Sequence, residues 1–240
     1  MVTLVTPTFR GSNKLTSRYS WVLCYTVYDM KIAVIGASGK TGRVFVNAAL
    51  GAGHDIRAGV YRSEVFHTSD HLEVVKIDAL KPADVEKLVV GCDAVVSVLG
   101  HVHDSPAYVQ TTAIGNVLSA MKKHRIRRIV SLTGTGVRTK GDRPSWTDRI
   151  LNLAVRVADP ARVHDGKAHA DVLKDSDTEW TVVRVLKLTD GLEQLYSLTA
   201  HGPGKAFVTR RTAADAILRV LNDHSFVREL PVLSRAQRVL

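Results

Sequence analysis

The chain has 240 residues, 45% of them hydrophobic, and a formal net charge of +10. That length suits one α/β domain better than two, and no stretch approaches the ~18 apolar residues that a membrane span needs. The positive balance points to an anionic partner, either nucleic acid or a phosphorylated small molecule.

Residues 1–30 read differently from the rest. Thr and Ser are scattered through "MVTLVTPTFRGSNKLTSRYSWVLCYTVYD", and no helical or strand period persists there. Arg10, Lys14 and Arg18 precede an apolar run from Trp21 to Tyr28. That run is short, ends in Asp29 and lacks an A-x-A-like cleavage site, so the segment is expected to be a dispensable extension and not a targeting signal. Met30 followed by "KIAVIGASG" reads as the natural start of the domain, 31–240. Apolar runs then occur at 31–35, 56–60, 72–77, 93–99, 127–132 and 180–186, and helical spacing at 41–51, 82–90, 106–124 and 160–174. Runs that are apolar throughout, and not at every second residue, belong to strands buried on both faces of a parallel sheet. Repeated βα units imply a doubly wound sheet with right-handed crossovers. The connection between 56–60 and 72–77 carries no clear helix. A helix at 212–223, opened by Thr212 with Asp215 at capping-box spacing, and a last strand at 227–233 complete a single Rossmann-like α/β domain.

"VIGASGKTGR" at 34–43 offers two nucleotide readings. A P-loop needs a glycine, four residues and then GKT; the position of that first glycine is Val34, so the loop that wraps a triphosphate is missing. The glycines at 36, 39 and 42 instead follow a strand and open a helix. Gly36 makes the tight turn, Gly39 lets backbone N–H groups approach a pyrophosphate, and Gly42 allows close helix–sheet packing. NAD binders place an acid about twenty residues on, at the ribose 2′-hydroxyl. Here "IRAGVYRSE" ends its strand with Arg62 and has no acid before Glu64. A guanidinium pairs with a 2′-phosphate, so the expected cofactor is NADP(H).

These motifs, with "IDALKPADVEKLVVGCDAVVSVLG", "AIGNVLSAMKKHRIRRIVSLTGTG", "DVLKDSDTEWTVVRVLKLTDG" and "VTRRTAADAIL", resemble the atypical short-chain dehydrogenase/reductases with an NAD(P)H-binding domain, the group of biliverdin reductase B (a flavin reductase) and the NmrA-like proteins. The resemblance covers residues 31 to about 220. It implies a pyrophosphate held by Gly36, Ser38, Gly39, Lys40 and Thr41, and a 2′-phosphate on Arg62. It implies further that Asp78 contacts the adenine amine, that Leu99 and Gly100 line the ribose, and that Thr133 sits near the nicotinamide. Phe66 stands where some relatives carry a second arginine. Most short-chain reductases use Ser, Tyr and Lys, with Y-x-x-x-K on one helix face. None of the six tyrosines here has Lys four residues later. Lys167 takes the lysine position, but Val163 fills the tyrosine slot and Gly134 the serine slot. Such a site is expected to act on flavins, quinones and similar acceptors, for which binding and orientation supply most of the catalysis.

"HVHD" at 101–104 has no supporting Cys/His pair for a metal and reads as a polar loop from which His101 or His103 touches substrate. His164, three residues before Lys167, is the candidate substitute proton donor. The basic run "KKHRIRR" at 122–128 lacks the interleaved aromatics of a nucleic-acid surface and reads as a solvated helix end that complements the dipole. Cys24 and Cys92 form no metal or redox spacing, and Cys92 reads as a small buried filler. The sequence thus predicts a cytoplasmic NADPH-dependent reductase of a small planar acceptor (a flavin, quinone or tetrapyrrole). It is expected to be a monomer or weak homodimer with no metal, nucleic-acid or membrane partner. The alternative is a non-catalytic NADP(H) sensor of the NmrA-like kind.

Overall fold

A computed structural model of the chain describes residues 29–61, 65–101, 105–204 and 207–236. The expected N-terminal extension lies outside them except for Asp29 and Met30. In chain order the elements are β1 (Lys31–Ile35), α1 (Lys40–Gly51), β2 (Asp55–Val60), β3 (Leu72–Lys76), α2 (Pro82–Val89), β4 (Ala94–Ser97), α3 (Val109–His124) and β5 (Arg128–Gly134). They continue with α4 (Trp146–Ala158), α5 (Pro160–Lys174), β6 (Glu179–Val185), β7 (Leu188–Thr189), β8 (Tyr196–Thr199), β9 (Val208–Thr209), α6 (Arg210–Asn222) and β10 (Val232–Arg235). The eight-stranded main sheet has the order β3-β2-β1-β4-β5-β6-β10-β8. It is parallel except for β8, which runs antiparallel along β10.

Strand β1 shows why its residues form a central strand. Ile32 and Val34 pack with Phe45, Val46, Ile217 and Leu221 on the α1 and α6 side. Ala33 and Ile35 pack with Leu88, Val117, Met121 and Leu173 on the α2, α3 and α5 side. Both faces are covered, so every second residue has no reason to be polar. The chain runs outward from β1 to β2 and β3, then returns to β4 on the other side of β1. That reversal opens a crevice at the carboxyl ends of β1 and β4, where ligands bind in open α/β sheets.

The C-terminal part departs from the sequence pattern. α6 starts earlier than Thr212: Thr209 is its N-cap and accepts from the Thr212 N–H, while Asp215 accepts the Tyr196 hydroxyl at 2.7 Å. The expected strand at 227–233 is displaced to β10, Val232–Arg235, because Arg228 (φ 60°) takes a left-handed conformation that a strand excludes. The helix α4 and the strand β8 were outside the expected set. Arg128 is buried, not solvated; it donates to the Glu179 and Val220 carbonyls. Elsewhere in the basic run, Lys123 and His124 meet Glu86, and Arg127 meets Glu179. Cys92 is buried, as expected, and burial pushes its thiol up to about 11.

Within the apolar run of β6, Arg184 is fully buried. Its guanidinium donates to the Leu230, Val137 and Ala200 carbonyls and to both Asp142 oxygens, at 2.5 and 2.9 Å. One side chain thereby ties the loop after β5 to β6 and to the segment before β10. Asp142→Ala would strand that charge in the core. We expect it to cost about 3–5 kcal/mol of stability, read as a lower denaturation midpoint with unchanged slope. A loss below 1 kcal/mol would show that the loop can open and let water reach Arg184.

Candidate functional site

The turn between β1 and α1 is fixed by contact. Gly36 has φ of +80°, and a Cβ there would lie 3.0 Å from Leu99 Cα and N. The Gly39 N–H donates to the Gly36 carbonyl at 3.1 Å. A Cβ on Gly42 would come within 2.1 Å of the Gly36 oxygen and 2.6 Å of the Ala37 oxygen. Only glycine lets α1 seat so closely. The helix opens at Gly39 with no side-chain cap and no acid in its first turn. Its leading N–H groups and positive dipole end are therefore left for an anion. Ser38 and Thr41 are half-buried at this mouth, and Lys40 is exposed. A pyrophosphate fits the donor set.

The other expected cofactor positions lie along the same carboxyl edge of the sheet. Asp78, just beyond β3, accepts the Leu80 N–H at 3.0 Å, and its own N–H donates to Asp84. Leu99 and Gly100 follow β4, and the Leu99 carbonyl accepts from Gln110 Nε2 at 2.5 Å. Arg62 lies outside the described residues, as does His103. Phe66 packs against the core.

The expected catalytic group is only partly assembled. Thr133 on β5 is buried beneath α5, where a Cβ on Gly166 would sit 3.2 Å from its hydroxyl. The inner face of α5 is Asp165, Gly166, His169, Ala170 and Leu173. Helical periodicity places Lys167 on the flank and His164 on the opposite side, and both are exposed. His164 is turned away from Thr133, which does not suit it to the proton-donor role expected of it. Among the described residues no group of three or more His, Cys, Asp or Glu could hold a metal ion.

The polar residues that the structure does gather around α5 were not singled out in the sequence. Asp165 is fully buried. Its carboxylate accepts from the Gln110 and Thr111 N–H groups (2.8 and 2.9 Å), the Thr111 hydroxyl (2.6 Å) and His101 Nε2 (2.7 Å). A carboxylate of α5 thus caps α3. Burial works against its charge, but the bonds from Thr111, Gln110 and His101 prevail and hold it below the usual carboxylate range. In the first turn of α4, Asp148 accepts from the Thr135 hydroxyl and from Arg138 in the loop after β5, both at 2.6 Å, with Asn152 beside them. An acid spaced to lie on the inner face of α5, one turn before His169, was the available clue.

His169 shares a 2.8 Å hydrogen bond with the Ser131 hydroxyl, and burial lowers its pKa to about 4. The unfolded chain binds this proton below about pH 6.5 and the folded chain does not. Stability is therefore lost as pH falls from about 6.5 towards 4. Between pH 7 and 4.5 the wild type should lose on the order of 3 kcal/mol more than His169→Gln, measured by urea denaturation. Parallel losses in the two proteins would contradict a neutral His169.

Residues 36–224 match the family model described as NAD(P)H-binding. Among solved structures, a wide-type short-chain dehydrogenase/reductase from Veillonella parvula in complex with NADP is 18% identical with a TM-score of 0.72, over 87% of this chain and 95% of that one. An oxidoreductase from Lactococcus lactis is 18% identical with a TM-score of 0.72, over 87% and 92%. The anaerobillin reductase of Escherichia coli O157:H7 is 19% identical with a TM-score of 0.70, over 86% and 98%. At such identities the likeness is one of fold.

Proposed function

The chain belongs to the NAD(P)H-binding family, and on that premise we propose that it is an NADPH-dependent reductase of the atypical short-chain kind, passing hydride to a small planar acceptor such as a flavin, quinone or tetrapyrrole. The observation that carries this reading is the uncapped start of α1, locked against the Gly36 turn at the sheet's switch point. In this reading Gly36, Ser38, Gly39, Lys40 and Thr41 hold the pyrophosphate and Arg62 the 2′-phosphate. Asp78 receives the adenine, and Leu99 and Gly100 border the ribose. Thr133 and Lys167 flank the nicotinamide end. When bound, NADPH supplies the hydride; the chain's own part is to orient the acceptor and exclude water. The NADP complex and the anaerobillin reductase among the structural relatives support the cofactor and the acceptor class. No helix among the described residues is long and apolar enough to cross a membrane. We place the protein in the cytoplasm, as a monomer or weak homodimer.

A second reading, an NADP(H) sensor, is favoured by one feature. The outer side of α4 exposes Trp146, Ile150, Leu153 and Val157, an apolar stripe of the sort a protein partner covers. Turnover separates the two. NADPH oxidation with a panel of flavins, quinones and linear tetrapyrroles should be steady for a reductase, whereas cofactor binding with no acceptor reduced would leave the sensor.

Arg62→Glu should weaken NADPH binding by about 1.5–3 kcal/mol, by removing one charge-assisted pair and adding repulsion. NADH binding should stay level or improve. Equal losses for both cofactors in a fluorescence titration would show that Arg62 does not read the 2′-phosphate.

A further inference from the structure

His101, Ser105 and Ala107 beyond β4, with Asp159 and Arg162 at the start of α5, line an open cavity of about 530 Å³. His101 is two residues beyond Leu99, whose Cα lies against the Gly36 turn, so chain geometry keeps the His101 Cα within ~7 Å of that contact. The imidazole is anchored. Nε2 lies 2.7 Å from Asp165 Oδ2, and the side chain is only 9% exposed. The strand end leading to it is anchored too, through Gln110 and the Leu99 carbonyl. Asp165 cannot swing away, because the α3 N–H groups hold the same carboxylate. With Nε2–H donating to the carboxylate, Nδ1 is the ring nitrogen left to exchange a proton.

We propose that His101 is the catalytic proton donor of this site, with Asp165 as its positioning residue, and that the acceptors it serves are carbonyl compounds such as quinones and conjugated ketones. This rests on the reductase reading and extends it, because Val163 offers no phenol and His164 faces solvent. In the step, an electrophilic carbon of the acceptor gains hydride, with its electron pair, from NADPH, and a C–H bond forms. The carbonyl π pair moves onto oxygen. The Nδ1–H bond of the His101 imidazolium breaks, its electrons stay on nitrogen, and the proton forms the O–H bond. NADP⁺ and reduced acceptor leave, and water returns a proton to the imidazole. The charged groups facing His101 are Asp165 from α5 and, in the cavity wall, Asp159 and Arg162; the start of α3 presents the uncharged Gln110 and Thr111.

The test compares wild type and His101→Ala with a quinone and a conjugated ketone at saturating NADPH, with and without added imidazole. NADPH affinity is followed by fluorescence, and ¹⁵N NMR of the wild-type ring is recorded in the cofactor-free protein. His101→Ala should retain NADPH affinity and lose about 10²-fold in kcat. Its rate should rise with imidazole concentration, and the wild-type ring should show a protonated Nε2. Asp165→Asn should lower kcat and disturb that tautomer; if it fails to fold, the imidazole series decides alone. A His101→Ala protein that keeps its kcat, or one that imidazole does not rescue, overturns the proposal while the reductase reading stands. A wild type that reduces no acceptor overturns the reductase reading, and this proposal with it.

Discussion

The rest of the site depends on one steric constraint: at position 42 there is room for a hydrogen and nothing larger. A methyl group would overlap the Gly36 carbonyl oxygen at 2.1 Å, far inside van der Waals contact. Because α1 can press against the turn, its first N–H groups open onto the crevice between β1 and β4. The same turn is pinned from the other side by Leu99. The phosphate cradle and the loop that leads to His101 are therefore one mechanical unit.

The helix starts sharpen the point. α4, α5 and α6 are capped by Ser145, Asp159 and Thr209. α2 has proline and Asp84 in its first turn, and α3 borrows Asp165 from α5. α1 has neither a side-chain cap nor an acid. An internal carboxylate fills the need at α3, whereas at α1 the leading N–H groups are left open to an external anion. A single buried acid thereby does two things: it completes α3 and holds an imidazole at the edge of a cavity.

The sequence was legible where physics is local. Continuous apolar runs located the six parallel strands from β1 to β6, and the glycine spacing located the turn, because a strand covered on both faces and a left-handed Gly36 each constrain residue type within a few positions. It was illegible where partners are distant in the chain. Asp165 meets Gln110 and Thr111 across 55 and 54 residues, and Arg184 meets Asp142 across 42, separations that no local period reports. In α4 the apolar residues Trp146, Ile150, Leu153 and Val157 stand at helical spacing, but they face outward, so the period that marks a helix there does not mark a core face. His164 stands three residues before Lys167, and spacing alone does not say which side of α5 packs inward. The basic run misled in the same way, since Arg128 finds its partners in Glu179 and Val220 and not in solvent.

The central claim is that the Gly36–Gly42 turn and the start of α1 bind the cofactor's pyrophosphate. A crystal structure of the protein with NADP⁺ tests it most directly. The account predicts pyrophosphate oxygens about 3 Å from the leading N–H groups of α1, with the nicotinamide directed past Leu99 towards Thr133. Cofactor density away from this turn, or a pyrophosphate with no contact to those N–H groups, would contradict it.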